Sequence, residues 1–179
     1  MNAMSHFGRI VCVAMLMLVA GCGNRDRETA VKLVKVIDIH ELKNLISTQT
    51  NDVVFLHFWS TYCPPCMDEF PSMITLADKW EGHGVTVLLV SADSRRNVVA
   101  VNDYLVKHQM RHPCYVADNL NDTFITAISQ NWSGALPASF FLDSHGTIVE
   151  SWEGTRSYEA YDQVIRNLVN GDKKGNMKP

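Results

Sequence analysis

Hydrophobic residues follow two spacings along the chain, one typical of buried strands and the other typical of helices that bury one face. Two near-continuous apolar runs, 52–60 and 85–91, predict central strands that are buried on both sides of a sheet. Shorter apolar runs predict further strands over 31–39, 113–117, 138–142 and 147–152. Apolar residues three or four positions apart predict helices over 39–48, 63–80, 95–109, 121–130 and 158–169.

The order of these elements predicts the fold class. Strands that alternate with helices indicate parallel βαβ units with right-handed crossovers. The last two strands are separated only by Asp143-Ser144-His145-Gly146, which predicts an antiparallel hairpin. The sequence therefore predicts an α/β fold with a mixed central sheet and helices on both faces. The helix over 95–109 is expected to turn four apolar side chains inward: Val98, Val101, Leu105 and Val106.

Residues 1–21 have the pattern of a signal peptide. Arg9 precedes an unbroken apolar run from Ile10 to Ala20, which is shorter than the about 20 apolar residues that a spanning helix needs. The run ends in Val19-Ala20-Gly21-Cys22, which resembles the lipobox of bacterial lipoproteins. The resemblance implies lipidation of Cys22. The alternative is an uncleaved anchor with an incidental cysteine, and both interpretations place the domain outside the cytoplasm, on a membrane.

The domain organisation follows from this segment. We expect four parts: a lipoprotein signal peptide over 1–21, the lipidated cysteine and a polar tether over 22–30, a folded domain over 31–170, and a flexible tail over 171–179. A chain of 179 residues can bury a core of its own. The formal net charge is −3 and no basic stripe is present, so nucleic acid is not an expected partner. A monomer is the simplest expectation.

Two of the five cysteines carry the candidate chemistry. Cys63-Pro64-Pro65-Cys66 directly follows a predicted buried strand and opens a predicted helix, a context that favours redox chemistry over metal binding. A helix N-terminus stabilises a thiolate and can lower its pKa from about 8.5 to roughly 3.5–7.5. Cys63 is thus expected to be the exposed nucleophile, and Cys66, one turn deeper, to resolve the mixed disulfide. Cys114 is expected to be a buried hydrophobe, with a resolving or metal-binding thiol as the alternative.

These motifs resemble the thioredoxin superfamily, and more narrowly its membrane-anchored TlpA/ResA-like branch. The resemblance covers about residues 33–169 and rests on three runs: Phe58-Trp59-Ser60-Thr61-Tyr62-Cys63-Pro64-Pro65-Cys66, Glu69-Phe70-Pro71, and Leu136-Pro137-Ala138-Ser139-Phe140-Phe141-Leu142-Asp143. It implies a thioredoxin fold and an enzyme that exchanges disulfides with partner proteins, as a reductant that needs no cofactor. It also implies electrons from a membrane thiol donor and clients such as the haem-attachment cysteines of apocytochrome c.

The same resemblance implies a substrate groove. It makes Pro137 a cis proline that faces the disulfide, with Leu136 and Tyr62 beside the docked substrate. Two departures from the family pattern bear on this groove. Tyr62 stands where relatives usually carry Trp, and Ala138 replaces the more frequent Thr or Glu after the proline.

Two ionisable residues are candidates for proton transfer. Glu69 lies three residues after Cys66, which places both on one face of the helix. In the ResA-like branch a Glu at this spacing modulates the thiols, so Glu69 could accept the proton of Cys66; the alternative is a solvated Glu at a helix N-terminus. His57 stands where thioredoxins bury an Asp that shuttles protons, and it could do similar work or be a hydrogen-bonded core His.

Other functions are less well supported by the sequence. The main alternative is a Cu(I)-binding module in which Cys63 and Cys66 supply soft thiolate ligands. A c-type haem site requires His directly after the second cysteine, where Met67 stands. A peroxiredoxin would carry its cysteine in a Pro-x-x-x-Thr-x-x-Cys run, which Thr61 and Pro64 do not supply. No His pair has metal-ligand spacing, so no metal is expected.

Overall fold

The computed structural model describes residues 34–175 of the chain. The expected signal peptide, the lipidation site Cys22, the tether and the first residues of the expected domain lie outside the described residues, as do 176–179 of the expected tail. None of the described helices combines the length and the apolar character that a membrane crossing requires.

Six strands and five helices make up the described part of the chain. The strands are β1 (Val34–Ile37), β2 (Val53–Trp59), β3 (Val85–Ser91), β4 (Cys114–Ala117), β5 (Ala138–Asp143) and β6 (Ile148–Glu153). The helices are α1 (Ile39–Ser47), α2 (Pro64–Trp80), α3 (Val98–Lys107), α4 (Asp122–Ile128) and α5 (Tyr158–Gly175), and a 3₁₀ turn (Arg95–Asn97) precedes α3.

The strands form one mixed sheet in the order β1-β4-β3-β2-β5-β6. β1, β4, β3 and β2 run parallel, whereas β2 pairs antiparallel with β5, and β5 with β6. This arrangement confirms the predicted α/β class with a parallel core and a terminal hairpin. β2 lies between a parallel and an antiparallel neighbour, so its end is fixed from both sides.

Every residue of β2 is buried, which agrees with its continuous apolar run. Val53, Phe55 and Trp59 pack with side chains of α2, α3 and α5 on one face of the sheet. Val54 and Phe58 pack with side chains of α1 and α4 on the other. Helices therefore cover both faces, as predicted, and the odd-numbered face of β2 is the one that carries His57.

Helix α2 contains a proline whose missing amide is compensated from a neighbouring helix. Pro71 cannot donate to the carbonyl of Met67 four residues earlier. The hydroxyl of Tyr104, in α3, donates to that carbonyl oxygen at 3.3 Å. The helix thus continues past Pro71 and buries Phe70 and Met73 in the core below the cysteine motif.

Two predicted details of the helices differ from the structure. The prediction that Val106 faces inward is wrong, because its side chain is 48% exposed. Adjacent helical residues point about 100° apart, so Val106 cannot share the face of the buried Leu105, and Met110 after the helix is buried instead. Helix α5 continues past the predicted end at Val169 to Gly175. Extending a formed helix costs little, and an exposed Gly171 costs only about 1 kcal/mol relative to Ala.

A buried carboxylate joins α2 to α5. Asp162 accepts hydrogen bonds from Lys79 Nζ at 2.6 Å, from Trp80 Nε1 at 3.0 Å and from Arg166 Nε at 2.8 Å. Charge-assisted hydrogen bonds of this kind are stronger than neutral ones. Asp162 therefore fixes the closing helix against the helix that carries the cysteines.

We expect Asp162→Ala to lower the free energy of unfolding by about 1–3 kcal/mol, since it leaves the buried Trp80 indole N–H without its acceptor. Urea denaturation measures this change. The control is Gln163→Ala at the exposed next position, which is expected to stay within about 0.5 kcal/mol of the unaltered protein. Equal effects of the two substitutions would contradict this role of Asp162.

Candidate active site

The cysteine motif lies where β2 ends and α2 begins. Cys63 is the N-cap of α2, with extended backbone, and its Sγ accepts the backbone N–H of Cys66 at 3.3 Å. Pro64 and Pro65 occupy the first helical positions, where an amide N–H would have no intrahelical acceptor. The two prolines therefore start the helix without loss of a hydrogen bond, and they leave the Cys66 N–H directed at the sulfur of Cys63.

Cys63 and Cys66 are joined in a disulfide, with their Cα atoms 5.3 Å apart. Cys66 is fully buried, whereas Cys63 keeps 8% of its surface exposed. Cys63 is thus the more accessible residue of the pair, but it is largely buried and not the exposed cysteine that the sequence predicts. A partner can reach this disulfide only at the Cys63 side.

Asp93 anchors the turn that leads into the cysteines, and the sequence analysis missed it. Its carboxylate, 1% exposed, accepts the Thr61 backbone N–H at 2.8 Å, the Thr61 hydroxyl, and the Ser91 hydroxyl at 2.6 Å. Ser91 ends β3, the parallel neighbour of β2. The available signal was a Ser-x-Asp run after a buried strand, because the carboxyl ends of adjacent parallel strands meet at one edge of the sheet.

Tyr62 covers the surface beside the motif. Its side chain is 64% exposed, its backbone N–H donates to Ser60 Oγ at 3.2 Å, and its hydroxyl donates to the Ala92 carbonyl at 3.2 Å. The ring is therefore held at its tip and leaves most of its area open to a partner.

The Leu136–Pro137 peptide bond is cis, as the resemblance implies. Ala138, the next residue, pairs with Phe58 near the end of β2. Pro137 therefore lies at the same edge of the sheet as the cysteine motif. Its carbonyl accepts the Gly154 N–H at 2.8 Å, and Gly154 has a φ of 83°, which favours glycine. Pro137 itself is buried, while Leu136 is half-buried and the more available for contact.

Four buried polar side chains form a closed ring in the core on the α2 side of the sheet, which we call the polar ring. Its members are His57 on β2, Glu69 on α2, Ser139 on β5 and Tyr161 on α5. His57 Nδ1 lies 2.9 Å from Ser139 Oγ, and the Ser139 hydroxyl donates to the Tyr161 oxygen at 3.4 Å. The Tyr161 hydroxyl donates to Glu69 Oε2 at 3.3 Å, and Glu69 Oε1 lies 3.3 Å from His57 Nε2.

The last of these four contacts differs from the others. Although His57 Nε2 and Glu69 Oε1 lie within ion-pair distance, they do not meet hydrogen-bond geometry, and neither has another partner among the described residues. Two buried polar atoms without a partner cost free energy unless a proton lies between them. The structure thus brings together both of the predicted proton-transfer residues, His57 and Glu69.

Burial determines the ionisation of this pair. It lowers the pKa of His57 to about 3, so the imidazole is neutral at physiological pH. It raises the pKa of Glu69 to about 7, against the opposing effects of the Arg156 N–H and the Tyr161 hydroxyl. Burial also raises the pKa of Tyr161 to about 12, so its hydroxyl keeps its proton. Glu69 is therefore the group of the polar ring that titrates near neutral pH.

Cys114 lies on β4 and is fully buried, which confirms the predicted buried hydrophobe. Burial raises the pKa of its thiol to about 12, so it does not supply a thiolate. Over residues 34–175, no group of three or more His, Cys, Asp or Glu side chains is arranged to hold a metal ion.

Comparison with known proteins connects this geometry to a family. The family model described as AhpC/TSA matches residues 31–151. The chain is 30% identical over 116 residues to a protein named thiol-disulfide oxidoreductase ResA from Bacillus cereus, covering 65% of this chain and 63% of the relative. A Bacillus subtilis protein of the same name is 25% identical over 122 residues, with 68% of this chain and 64% of the relative covered. The chain thus spans just under two thirds of these relatives.

Solved structures show the same fold. A thiol:disulfide interchange protein of the thioredoxin family from Chlorobium tepidum superposes with a TM-score of 0.57 at 22% identity, covering 67% of this chain and 81% of that protein. StoA from Bacillus subtilis gives a TM-score of 0.53 at 22% identity over 65% and 84% of the two chains. These likenesses establish a thioredoxin-like fold. With the family match over 31–151, they show that the chain belongs to the AhpC/TSA family of the thioredoxin superfamily.

Proposed function

We propose that this chain is a thiol–disulfide oxidoreductase that reduces disulfides in partner proteins through Cys63 and Cys66. The observation that carries the proposal is the disulfide at the N-terminus of α2, whose Cys63 sulfur already accepts a helix N–H. The same N–H groups and the helix dipole would stabilise a Cys63 thiolate after reduction. The names of the relatives support this activity.

The reaction is a pair of thiol–disulfide exchanges. The Cys63 thiolate attacks one sulfur of a client disulfide, the client S–S bond breaks, and one client thiolate leaves. Cys66 then loses its thiol proton and attacks Cys63 Sγ, which releases the second client thiolate and forms the Cys63–Cys66 disulfide. The client gains the two electrons that the cysteine pair loses, and its thiolates take up protons. A dithiol protein at the membrane restores the pair by the reverse exchange.

Glu69 is the proposed acceptor of the Cys66 proton. It lies one helical turn from Cys66, and its pKa of about 7 leaves a basic carboxylate available at neutral pH. An ordinary Glu has a pKa of about 4.3, so it would hold that proton less tightly at neutral pH. His57 is the proposed partner of Glu69 in this transfer, since its Nε2 lies 3.3 Å from Glu69 Oε1.

The proposed substrate groove lies between Tyr62 and the cis-proline loop. Tyr62 presents an exposed aromatic face, and Leu136 a half-buried apolar side chain. Pro137 is held by the Gly154 N–H at the edge of the sheet that carries the cysteines. A client segment that lies between these residues would bring its disulfide to the Cys63 side of the pair.

The site of action is proposed from the sequence. The lipobox-like ending at Cys22 supports a lipoprotein on the outer face of a bacterial membrane, where multiple acyl chains give stable anchoring. Clients in cytochrome c maturation, a membrane thiol donor and a monomeric state belong to the same proposal. The copper alternative needs a third ligand beside Cys63 and Cys66, and over residues 34–175 no group of three or more His, Cys, Asp or Glu side chains is arranged to supply it.

The midpoint potential of the Cys63–Cys66 couple tests the direction of electron flow. Residues 24–179 are equilibrated with thiol redox buffers, and the fraction of disulfide is measured by mass spectrometry. A reductase is expected at or below about −230 mV, near thioredoxin, whereas a midpoint above about −150 mV would make the protein an oxidant. Cys114→Ala is the matched control and is expected to leave the midpoint unchanged.

The raised pKa of Glu69 predicts a pH-dependent effect on stability. Between 4.5, its ordinary value, and about 7, the folded protein binds more protons at Glu69 than the unfolded chain does. The stabilisation is complete below this window and is lost as the pH rises through it. Burial lowers the pKa of His57 to about 3, so between about 3 and 6.5 its contribution makes stability rise with pH. This rise partly cancels the loss of stability caused by Glu69.

We therefore expect the stability of Glu69→Gln, relative to that of the unaltered protein, to be greater at about pH 8 than at about pH 5. Thermal unfolding at both pH values measures the difference. Asp68→Asn, which changes the exposed carboxylate next to it on α2, is expected to give the same difference at both. A pH-independent difference for Glu69→Gln would contradict the raised pKa.

A further inference from the structure

The hydrogen count of the polar ring fixes the tautomer of His57. A hydroxyl group carries one hydrogen. Tyr161 uses its hydrogen toward Glu69 Oε2, and Ser139 uses its hydrogen toward Tyr161. Ser139 Oγ then has only lone pairs for His57 Nδ1, which lies 2.9 Å away. With Ser139 donating to Tyr161, the proton of the neutral imidazole belongs on Nδ1.

This tautomer leaves a lone pair on His57 Nε2. That atom lies 3.3 Å from Glu69 Oε1, which also presents a lone pair when the carboxylate is ionised. Neither atom has another partner in the described part of the chain. One proton between them removes the repulsion, and there is room for only one.

The proton site on Glu69 is fixed as well. Glu69 Oε2 accepts the Tyr161 hydroxyl and, at 3.4 Å, the backbone N–H of Arg156. Both donors occupy Oε2, so the proton of a neutral Glu69 belongs on Oε1. The three hydrogen bonds of the polar ring then run in one direction, from His57 through Ser139 and Tyr161 to Glu69 Oε2, and the Oε1 proton lies beside His57 Nε2.

We propose that Ser139 and Tyr161 are positioning residues that hold the His57 proton on Nδ1, so that His57 Nε2 and Glu69 Oε1 form a store for one proton. The store lies one helical turn from Cys66. This inference rests on the proposed function for its role in resolution, but the store itself is a property of the resting disulfide form.

The groups around Glu69 favour its ionised and its neutral forms by opposing effects. From α2, Cys66 is uncharged in the disulfide; from β2, His57 is neutral; and from α5, Tyr161 donates a hydrogen bond. The segment before α5 supplies Arg156, whose N–H and positive charge favour the ionised carboxylate. Burial and the Nε2 lone pair favour the neutral acid.

The store gives the Cys66 proton a destination without a change in the number of charges. When Cys66 gives its proton to Glu69, one thiolate forms and one carboxylate is neutralised, with the proton on Oε1, 3.3 Å from His57 Nε2. No further acid or base is required until the released client thiolates are protonated. Ser139 and Tyr161 touch neither the cysteines nor the client in this step.

The two positioning residues are expected to control the tautomer of His57. In Ser139→Ala, the Nδ1–H loses its acceptor, so the imidazole proton moves to Nε2, beside ionised Glu69, which lowers the pKa of Glu69. In Tyr161→Phe, the Ser139 hydroxyl loses its acceptor and is free to donate to His57 Nδ1, so the imidazole proton moves to Nε2 there as well. A general loosening of the core would not move the imidazole proton from one ring nitrogen to the other in both variants.

The test uses the full-length protein with its disulfide intact, labelled with ¹⁵N in histidine and ¹³C in the Glu carboxyl group. The ¹⁵N shifts of His57 distinguish a protonated from an unprotonated ring nitrogen, and the ¹³C shift of Glu69 follows its titration. We expect Nδ1–H in the unaltered protein and Nε2–H in both Ser139→Ala and Tyr161→Phe. The proton affinity of Glu69 should fall by about tenfold or more in Ser139→Ala. Ser139→Thr, which keeps the hydroxyl, should restore both signals.

An Nε2–H tautomer in the unaltered protein would overturn the proposal without any variant. An Nδ1–H tautomer that stays unchanged in both Ser139→Ala and Tyr161→Phe would also overturn it. Failure of the proposed function would be visible separately, because the tautomer is read in the resting protein without a client. If the protein shows the expected tautomers but no disulfide exchange, the proton store stands and the proposed oxidoreductase function is wrong.

Discussion

The contact between the Cys66 N–H and the sulfur of Cys63 is the interaction on which the chemistry of this protein depends. It makes a cysteine the N-cap of α2, where the unsatisfied N–H groups and the helix dipole favour negative charge. The rest of the fold keeps this N-cap in place. β2 is buried on both faces and fixes the start of the turn, Asp93 binds the turn itself, and the buried face of α2 fixes the helix direction.

A second constraint is the cost of placing polar groups below the disulfide. Buried polar side chains destabilise a core unless they are hydrogen-bonded, and two atoms of the polar ring, on His57 and Glu69, lack a partner among residues 34–175. The retained polarity gives a carboxylic acid that titrates near neutral pH one turn from Cys66. Stability and reactivity are therefore in opposition at Glu69.

The sequence was informative wherever one element alone decides the outcome. The continuous apolar run of β2 predicted a strand at the buried centre of the sheet. The cysteines at a strand-to-helix junction predicted the position of the disulfide. Features that depend on several elements were not predictable. The polar ring needs the pairing of His57 with Ser139 across β2 and β5, and the approach of Tyr161 from α5. Asp93 is an unremarkable loop residue until β3 is placed beside β2. Val106 was misassigned because an apolar helix pattern alone does not show how wide the buried face is.

The most direct test of the central claim is the pH dependence of Cys63 alkylation in the reduced protein, followed by mass spectrometry of the cysteine-containing peptides. A thiolate stabilised by the N-terminus of α2 predicts a half-maximal rate below about pH 7.5, with Cys66 reacting more slowly at every pH. A half-maximal rate at or above about pH 8.5, the value of an ordinary thiol, or faster reaction at Cys66, would contradict the account.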